Sequence, residues 1–193
     1  MQRDLLTEAV VRARRGDPQA TEAVVRHSLT LALRTSAAAL GSRELAADVA
    51  QEVVIDVLRD LRKLRDPSRL DAWVHRITAR RAMRYLHAQR SRIASDLDSL
   101  GEHERPATHL NESDLTAQWS ATPALRAALA ELPPRQRVAL ALKYVAGLTD
   151  SEIAAALDCP RGTAHSLLSR GRAALQANPL LADLRPSRLQ GEA

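Results

Sequence analysis

Apolar residues return every third or fourth position through most of the chain, the spacing that lines one side of a helix. Leu5, Leu6, Ala9, Val10 and Ala13 predict a first helix that stops at Gly16-Asp17-Pro18. Val24, Val25, Leu29, Leu31, Leu33 and Ala37 to Leu40 predict a second, closed by Gly41 at the left-handed position that ends many helices. Ser42 is placed to cap a third. From Arg43 to about Leu64, Leu45, Val49, Val53, Val57 and Leu61 recur with Ala46, Ala50, Val54 and Leu58 beside them, a wide apolar stripe. A fourth helix is expected from near Leu70. After residue 123 the pattern resumes, with Pro123–Leu132 and Pro134–Val145 predicted as two helices parted by Pro133-Pro134.

The next segment carries stronger local signals. Thr149-Asp150-Ser151-Glu152 reads as a capping box, in which hydroxyl and carboxylate satisfy opposite backbone amides. A short helix to Leu157, a turn at Asp158-Cys159 and a helix starting at Pro160 and reaching about Gln176 make a helix-turn-helix. Ala164, Leu168, Gly171 and Leu175, with Leu167 at the edge, form the inward stripe of the second helix. Gly162, Ser166, Ser169 and Ala173 form the other side, bordered by Arg161, His165, Arg170 and Arg172. Small residues let a backbone come close to a duplex, and the arginines reach bases and phosphates.

Composition agrees with an all-α fold. Alanine (35) and leucine (30) far outnumber valine (11) and isoleucine (4), and there is no phenylalanine. A single cysteine, Cys159, excludes a disulfide framework and any thiolate-rich metal site. The absence of a long apolar run or a leader pattern predicts a cytoplasmic protein with no membrane insertion. No enzymatic constellation stands out: the histidines are scattered, and Cys159 sits at a helix start, where it is read as a capping residue. Glu102, His103, Glu104, His109 and Glu112 cluster in a segment without a rigid element to fix metal geometry, so no metal and no cofactor are expected.

Charge divides the chain. Residues 1–90 hold 17 basic and 11 acidic groups, net +6; residues 91–122 hold 2 and 6, net −4; residues 123–178 hold 7 and 4, net +3. We therefore expect two small helical domains, 1–90 and 123–178, joined by a flexible acidic linker over 91–122 and followed by a tail, 179–193. With so little apolar content in the connector, the domains are expected to tumble semi-independently. Between Asp71 and Asp96 no acid occurs, while Arg76, Arg80 and Arg84 fall at four-residue spacing with His87 continuing the row. Such a strip suits a phosphate backbone. Trp73 either stacks on an unpaired base or anchors the core beside Val74 and Ile77. Asp48, Gln51 and Glu52 lie at i, i+3 and i+4, and by spacing alone read as a solvated face.

Several short motifs follow one another along the chain: Gly16-Asp17 with Ala20; Asp48 with Gln51-Glu52-Val53; Trp73-Val74 with Arg76-Ile77; Leu132-Pro133 with Arg137; Gly147-Leu148-Thr149 with Glu152-Ile153-Ala154; and Gly162-Thr163 with Ser166, Arg170 and Arg172. In this order they resemble the extracytoplasmic-function (ECF) type of RNA polymerase sigma factor. The resemblance implies that the first domain docks on core RNA polymerase through Asp48, Gln51 and Glu52. It implies that Lys63 to Asp71 captures a flipped base. Arg69, Trp73, Arg76, Arg80, Arg81, Arg84 and His87 would then meet the minus-ten element of promoter DNA. Arg161, Thr163, His165, Ser166, Ser169, Arg170 and Arg172 would read the minus-thirty-five element. It also implies an anti-sigma factor as a partner. Arg80 and Arg84 stand where many members have asparagine and aspartate, and His165 and Leu167 replace usual basic residues, so base preference does not carry over. The competing reading is a stand-alone helix-turn-helix regulator that dimerises through its amino-terminal helices.

Overall fold

The computed structural model describes residues 2–98 and 122–184, and among these every regular element is helical. Four helices come from the first body: α1 (Gln2–Arg14), α2 (Pro18–Leu40), α3 (Arg43–Asp60) and α4 (Leu70–Asp98). Four come from the second: α5 (Pro123–Glu131), α6 (Pro134–Tyr144), α7 (Asp150–Ala156) and α8 (Arg161–Ala177). Short 3₁₀ turns cover Leu61–Lys63, Pro67–Arg69 and Pro179–Leu184.

Local chemistry sets the boundaries. Asp17 caps α2 by accepting from the Ala20 amide at 3.1 Å, with Pro18 in the first turn. Gly41 ends α2 at φ +69°, a conformation that costs an L side chain about 1–2 kcal/mol. Ser42 then accepts from the Leu45 amide and starts α3. The Thr149–Glu152 capping box forms as expected, with both reciprocal hydrogen bonds present. Pro160 lies one position earlier than expected, as the N-cap of α8 and not its first residue. Cys159 provides no side-chain cap; its amide donates to the Ala154 carbonyl at 3.0 Å, closing the turn.

α2 packs along α1, α3 and α4, and α8 packs on α6 and α7 as a helix-turn-helix. At Gly171 an added Cβ would stand 3.0 Å from Leu140 Cδ1, so glycine there sets how closely α8 lies on α6. α4 continues through Asp98, eight residues into the span 91–122 expected as connector. The second body runs past its expected end: Asn178 is buried, its Nδ2 donates to Glu131 Oε2 at 2.7 Å, its Oδ1 accepts from the Leu180 amide, and Pro179–Leu184 form a 3₁₀ turn.

The two bodies are docked, where semi-independent tumbling was expected. α6 and α7 pack against α4, and α6 also against α2, so that one continuous apolar cluster runs through both bodies. Two stretches require this. Thr35 to Leu40 on α2 and Val138 to Leu142 on α6 are each buried at every consecutive position, which encloses those helices on all sides. A helix covered all round needs neighbours beyond its own small domain. His75 of α4 is buried in the same region, 3.4 Å from Thr35 Oγ1 of α2 and within the electrostatic reach of Glu152 on α7.

Candidate nucleic-acid and polymerase interface

α4 presents the basic row as its spacing predicts. Arg76, Arg80, Arg84 and His87 are all exposed. Together with Arg81, Trp73 and Ile77 and the α3 residues Asp56, Arg59 and Asp60, the three arginines line an open groove of about 660 Å³ between α3 and α4. Trp73 is half-buried, packed against the core on one side and lining the groove on the other.

Arg81 departs from this row. It turns toward α3, where its Nε and Nη2 donate to Asp56 Oδ2 at 2.8 and 2.5 Å and its Nη1 donates to Glu52 Oε2. Partial burial opposes its charge, but the hydrogen bonds and the field of Asp56 and Glu52 outweigh that and raise the guanidinium above its usual pKa. Asp56 is buried, and its other oxygen accepts from Arg59 Nη2 at 2.7 Å. The sequence reading missed Asp56. The only signal was its position one turn after Glu52, and nothing along the chain says which distant cation completes it.

On α3, Asp48, Gln51 and Glu52 are exposed. Ile55 and Leu58 join them, at 61% and 44% exposure. Leu58 was expected in the inward stripe; the stripe is wider than the surface that α2 and α4 cover, and its edge is left in solvent. An isolated exposed leucine is ordinary, but two large apolar residues one turn apart beside an acidic cluster form a surface suited to another protein.

The segment before α4 is held from below. Arg14 of α1 donates from Nε to the Leu61 carbonyl at 3.1 Å and from Nη2 to the Leu64 carbonyl. Asp66 accepts from the Ser68 amide and hydroxyl at 3.0 and 2.7 Å, and this, with Arg69 3.6 Å away, keeps its carboxyl below the usual range. The loop thus presents Arg62, Lys63, Arg65 and Arg69 outward on a fixed backbone.

On α8, Arg161, Thr163, His165, Ser169, Arg170 and Arg172 are exposed and Ser166 is half-buried, while Ala164, Leu167, Leu168 and Gly171 face inward. His165 is not a free side chain. Its Nδ1 lies 3.3 Å from Asp150 Oδ2 of α7, whose Oδ1 accepts from Lys143 Nζ of α6 at 2.9 Å. Hydrogen bonds from Lys143 first, then His165, hold the Asp150 carboxyl below its ordinary value and tie three helices together. Arg170 Nε reaches back to the Ser166 carbonyl at 3.4 Å. The Glu102–Glu112 cluster lies outside the described residues. Among the described residues no helix is long and apolar enough to cross a membrane.

Comparison with known proteins converges on both bodies. Residues 23–92 match the family Sigma-70 region 2, and residues 123–175 match Sigma-70, region 4. The ECF RNA polymerase sigma-E factor of Escherichia coli (strain K12) is 34% identical over 142 residues, covering 69% of this chain and 74% of that protein. Its counterpart in Haemophilus influenzae is 31% identical over 137 residues, covering 68% and 72%. The fold is similar to the sigma factor RpoE from Bartonella quintana, solved in complex with the anti-sigma factor NepR (TM-score 0.59, 24% identity, 86% of this chain and 97% of that one). It is also similar to CnrH in complex with the cytosolic domain of CnrY (TM-score 0.57, 21% identity, 94% and 99%). With both regions matched and a relative 34% identical over more than two thirds of either chain, the chain belongs to the RNA polymerase sigma factors of the ECF type.

Proposed function

We propose that this sigma factor binds core RNA polymerase through the exposed α3 face and directs initiation at promoters that α4 and α8 recognise separately. The observation that carries this reading is the pairing, in one chain, of an exposed arginine row on α4 with an exposed small-residue face on α8. Phosphate contacts along Arg76, Arg80 and Arg84 supply affinity without sequence information, and the groove beside them has Trp73 as an aromatic wall for a displaced base. Arg69 and His87 extend the same path. On α8, Ser166, Ser169 and His165 stand nearest base edges, with Arg161, Thr163, Arg170 and Arg172 on the backbone. Asp48, Gln51 and Glu52, with Ile55 and Leu58 exposed beside them, form the polymerase face, a mixed polar and apolar surface. The chain is a non-catalytic partner of the polymerase and works where the polymerase does, in the cytoplasm.

An anti-sigma factor is the expected inhibitor. Two structural neighbours were solved bound to partners, NepR in one case and the cytosolic domain of CnrY in the other. In the present chain the second body already lies on α2 and α4, so an inhibitor needs only to hold a docked form, without assembling it.

Run-off transcription with purified core polymerase on genomic fragments tests the reading. Discrete transcripts that depend on the chain are expected, together with co-elution of the chain with core polymerase. Tight duplex binding by the chain alone, with no co-elution, would replace it with the stand-alone regulator.

A further inference from the structure

We propose that Arg81 is a positioning residue that sets the Glu52 carboxylate for polymerase and couples the polymerase face to the DNA strip, and that it does not contact promoter phosphate. The inference rests on the reading of Glu52 as part of the polymerase face. Its starting point is Asp56, whose side chain is 12% exposed and which must have a cationic partner at that depth. Two of the Arg81 donors satisfy Asp56 Oδ2, while Arg59 satisfies Oδ1. That fixes the guanidinium plane, and the third donor, Nη1, is left pointing along α3 to Glu52 Oε2.

Glu52 itself is 54% exposed, and a free glutamate there samples many rotamers. Held at one oxygen by a fixed guanidinium, it offers the carboxylate in one orientation, so less rotamer freedom is lost when a partner binds. Arg81 lines the same groove as the arginine row, but swinging out to a phosphate with the donors now on Asp56 would leave a buried carboxylate short of a donor, and breaking a buried pair costs more than an exposed contact returns. Arg76, Arg80 and Arg84 carry no such obligation. Because Arg81 spans 25 residues to Asp56 and 29 to Glu52, it also fixes α3 against α4, so the two working faces move as one unit.

A double-mutant cycle on the full chain decides the matter, reading affinity for core polymerase by titration at constant salt. Arg81→Gln is expected to weaken core binding by roughly fivefold, the upper range for loss of a single ion pair at a surface, with Arg81→Lys recovering part of it. Glu52→Gln should also weaken binding, and Glu52→Gln/Arg81→Gln should be no weaker than Glu52→Gln alone. The salt dependence of promoter binding by the assembled holoenzyme should keep its slope in Arg81→Gln. Full additivity in the cycle, or a slope lower by about one unit, would overturn the proposal. An unaffected core affinity in Glu52→Gln would instead overturn the polymerase-face reading, whereas a weakened Glu52→Gln beside a silent Arg81→Gln removes only the role of Arg81. Far-UV helicity is compared throughout; should Arg81→Gln not fold, Arg81→Lys and Arg81→Met run through the same cycle, and additivity there has the same meaning.

Discussion

Helices α4 and α8 both bring arginines to the surface, and they differ in what stands beside them. On α4, Arg76, Arg80 and Arg84 form an unbroken row over a groove whose far wall is Asp56, Arg59 and Asp60 of α3. On α8, single arginines border serines, a glycine and alanines, and the nearest histidine is tied down by Asp150. A row of long cations follows a backbone wherever it runs. A small-residue face admits a duplex closely enough for short side chains to meet base edges, and then identity matters. On the proposed function, one chain divides its DNA work between a helix built for charge and a helix built for fit.

The largest expected effect breaks the charge side. Replacing Arg76, Arg80 and Arg84 together with glutamine should lower the slope of log K against log salt by about two to three units and abolish promoter opening at moderate salt. Filter binding across a salt series and permanganate footprinting measure both, and an unchanged slope would reduce the row to a solvated face.

The fit side is broken from beneath. Gly171→Val adds methyl groups where even a lone Cβ would stand 3.0 Å from Leu140, so stability should fall by about 1–3 kcal/mol through overpacking between α8 and α6. Chemical denaturation reads this directly. Upstream recognition should suffer while affinity for core polymerase persists, since the α3 face lies on the other body.

A finer test separates base from backbone on α8. Ser169→Ala or Ser166→Ala should change the ranking of upstream sequences, by about 1–3 kcal/mol at the contacted base, whereas Arg170→Gln should weaken all sequences alike. Binding to a randomised upstream library distinguishes the two patterns, and uniform loss from the serine variants would remove base reading from this face.

The smallest effect concerns the seam that holds the two helices' bodies together. Burial holds the His75 imidazole below its ordinary value of 6.5; Asp71 and Glu152 act against that, and His27 adds to it. The unfolded chain therefore takes up the proton more readily than the folded one. His75 costs no stability above about pH 6.5, and its contribution is lost as pH falls below that value toward the depressed folded pKa. Thermal midpoints should decline through this window, and His75→Gln should flatten the decline; an equal decline in both proteins would acquit His75.

Much of the scaffold was legible along the chain because it depends on near neighbours. Gly41, Ser42 and the Thr149–Glu152 box act within one turn, so their residues alone predict where helices stop and start. The inward and outward sides of α8 follow from a 3.6-residue period and were read correctly. The Arg76, Arg80 and Arg84 row was legible for the same reason. Leu58 was misplaced because periodicity marks a stripe without saying how much of its width a neighbour will cover.

What the sequence determined by itself is the set of helices, their caps and the polarity of their faces, since these are fixed by hydrogen bonds and side-chain spacings no more than a few residues long. What only the tertiary structure decided is which charged groups meet and which helices share a core. Arg81 and Arg80 are adjacent cations in an acid-free run, yet one joins the exposed row and the other turns to Asp56 and Glu52. The docking of α6 and α7 on α2 and α4 is of the same kind: Val138 to Leu142 announce burial, but not by what. Ion pairs act over a few ångströms and apolar burial is non-directional, so neither carries the sequence distance of its partner, and only the packed arrangement supplies it.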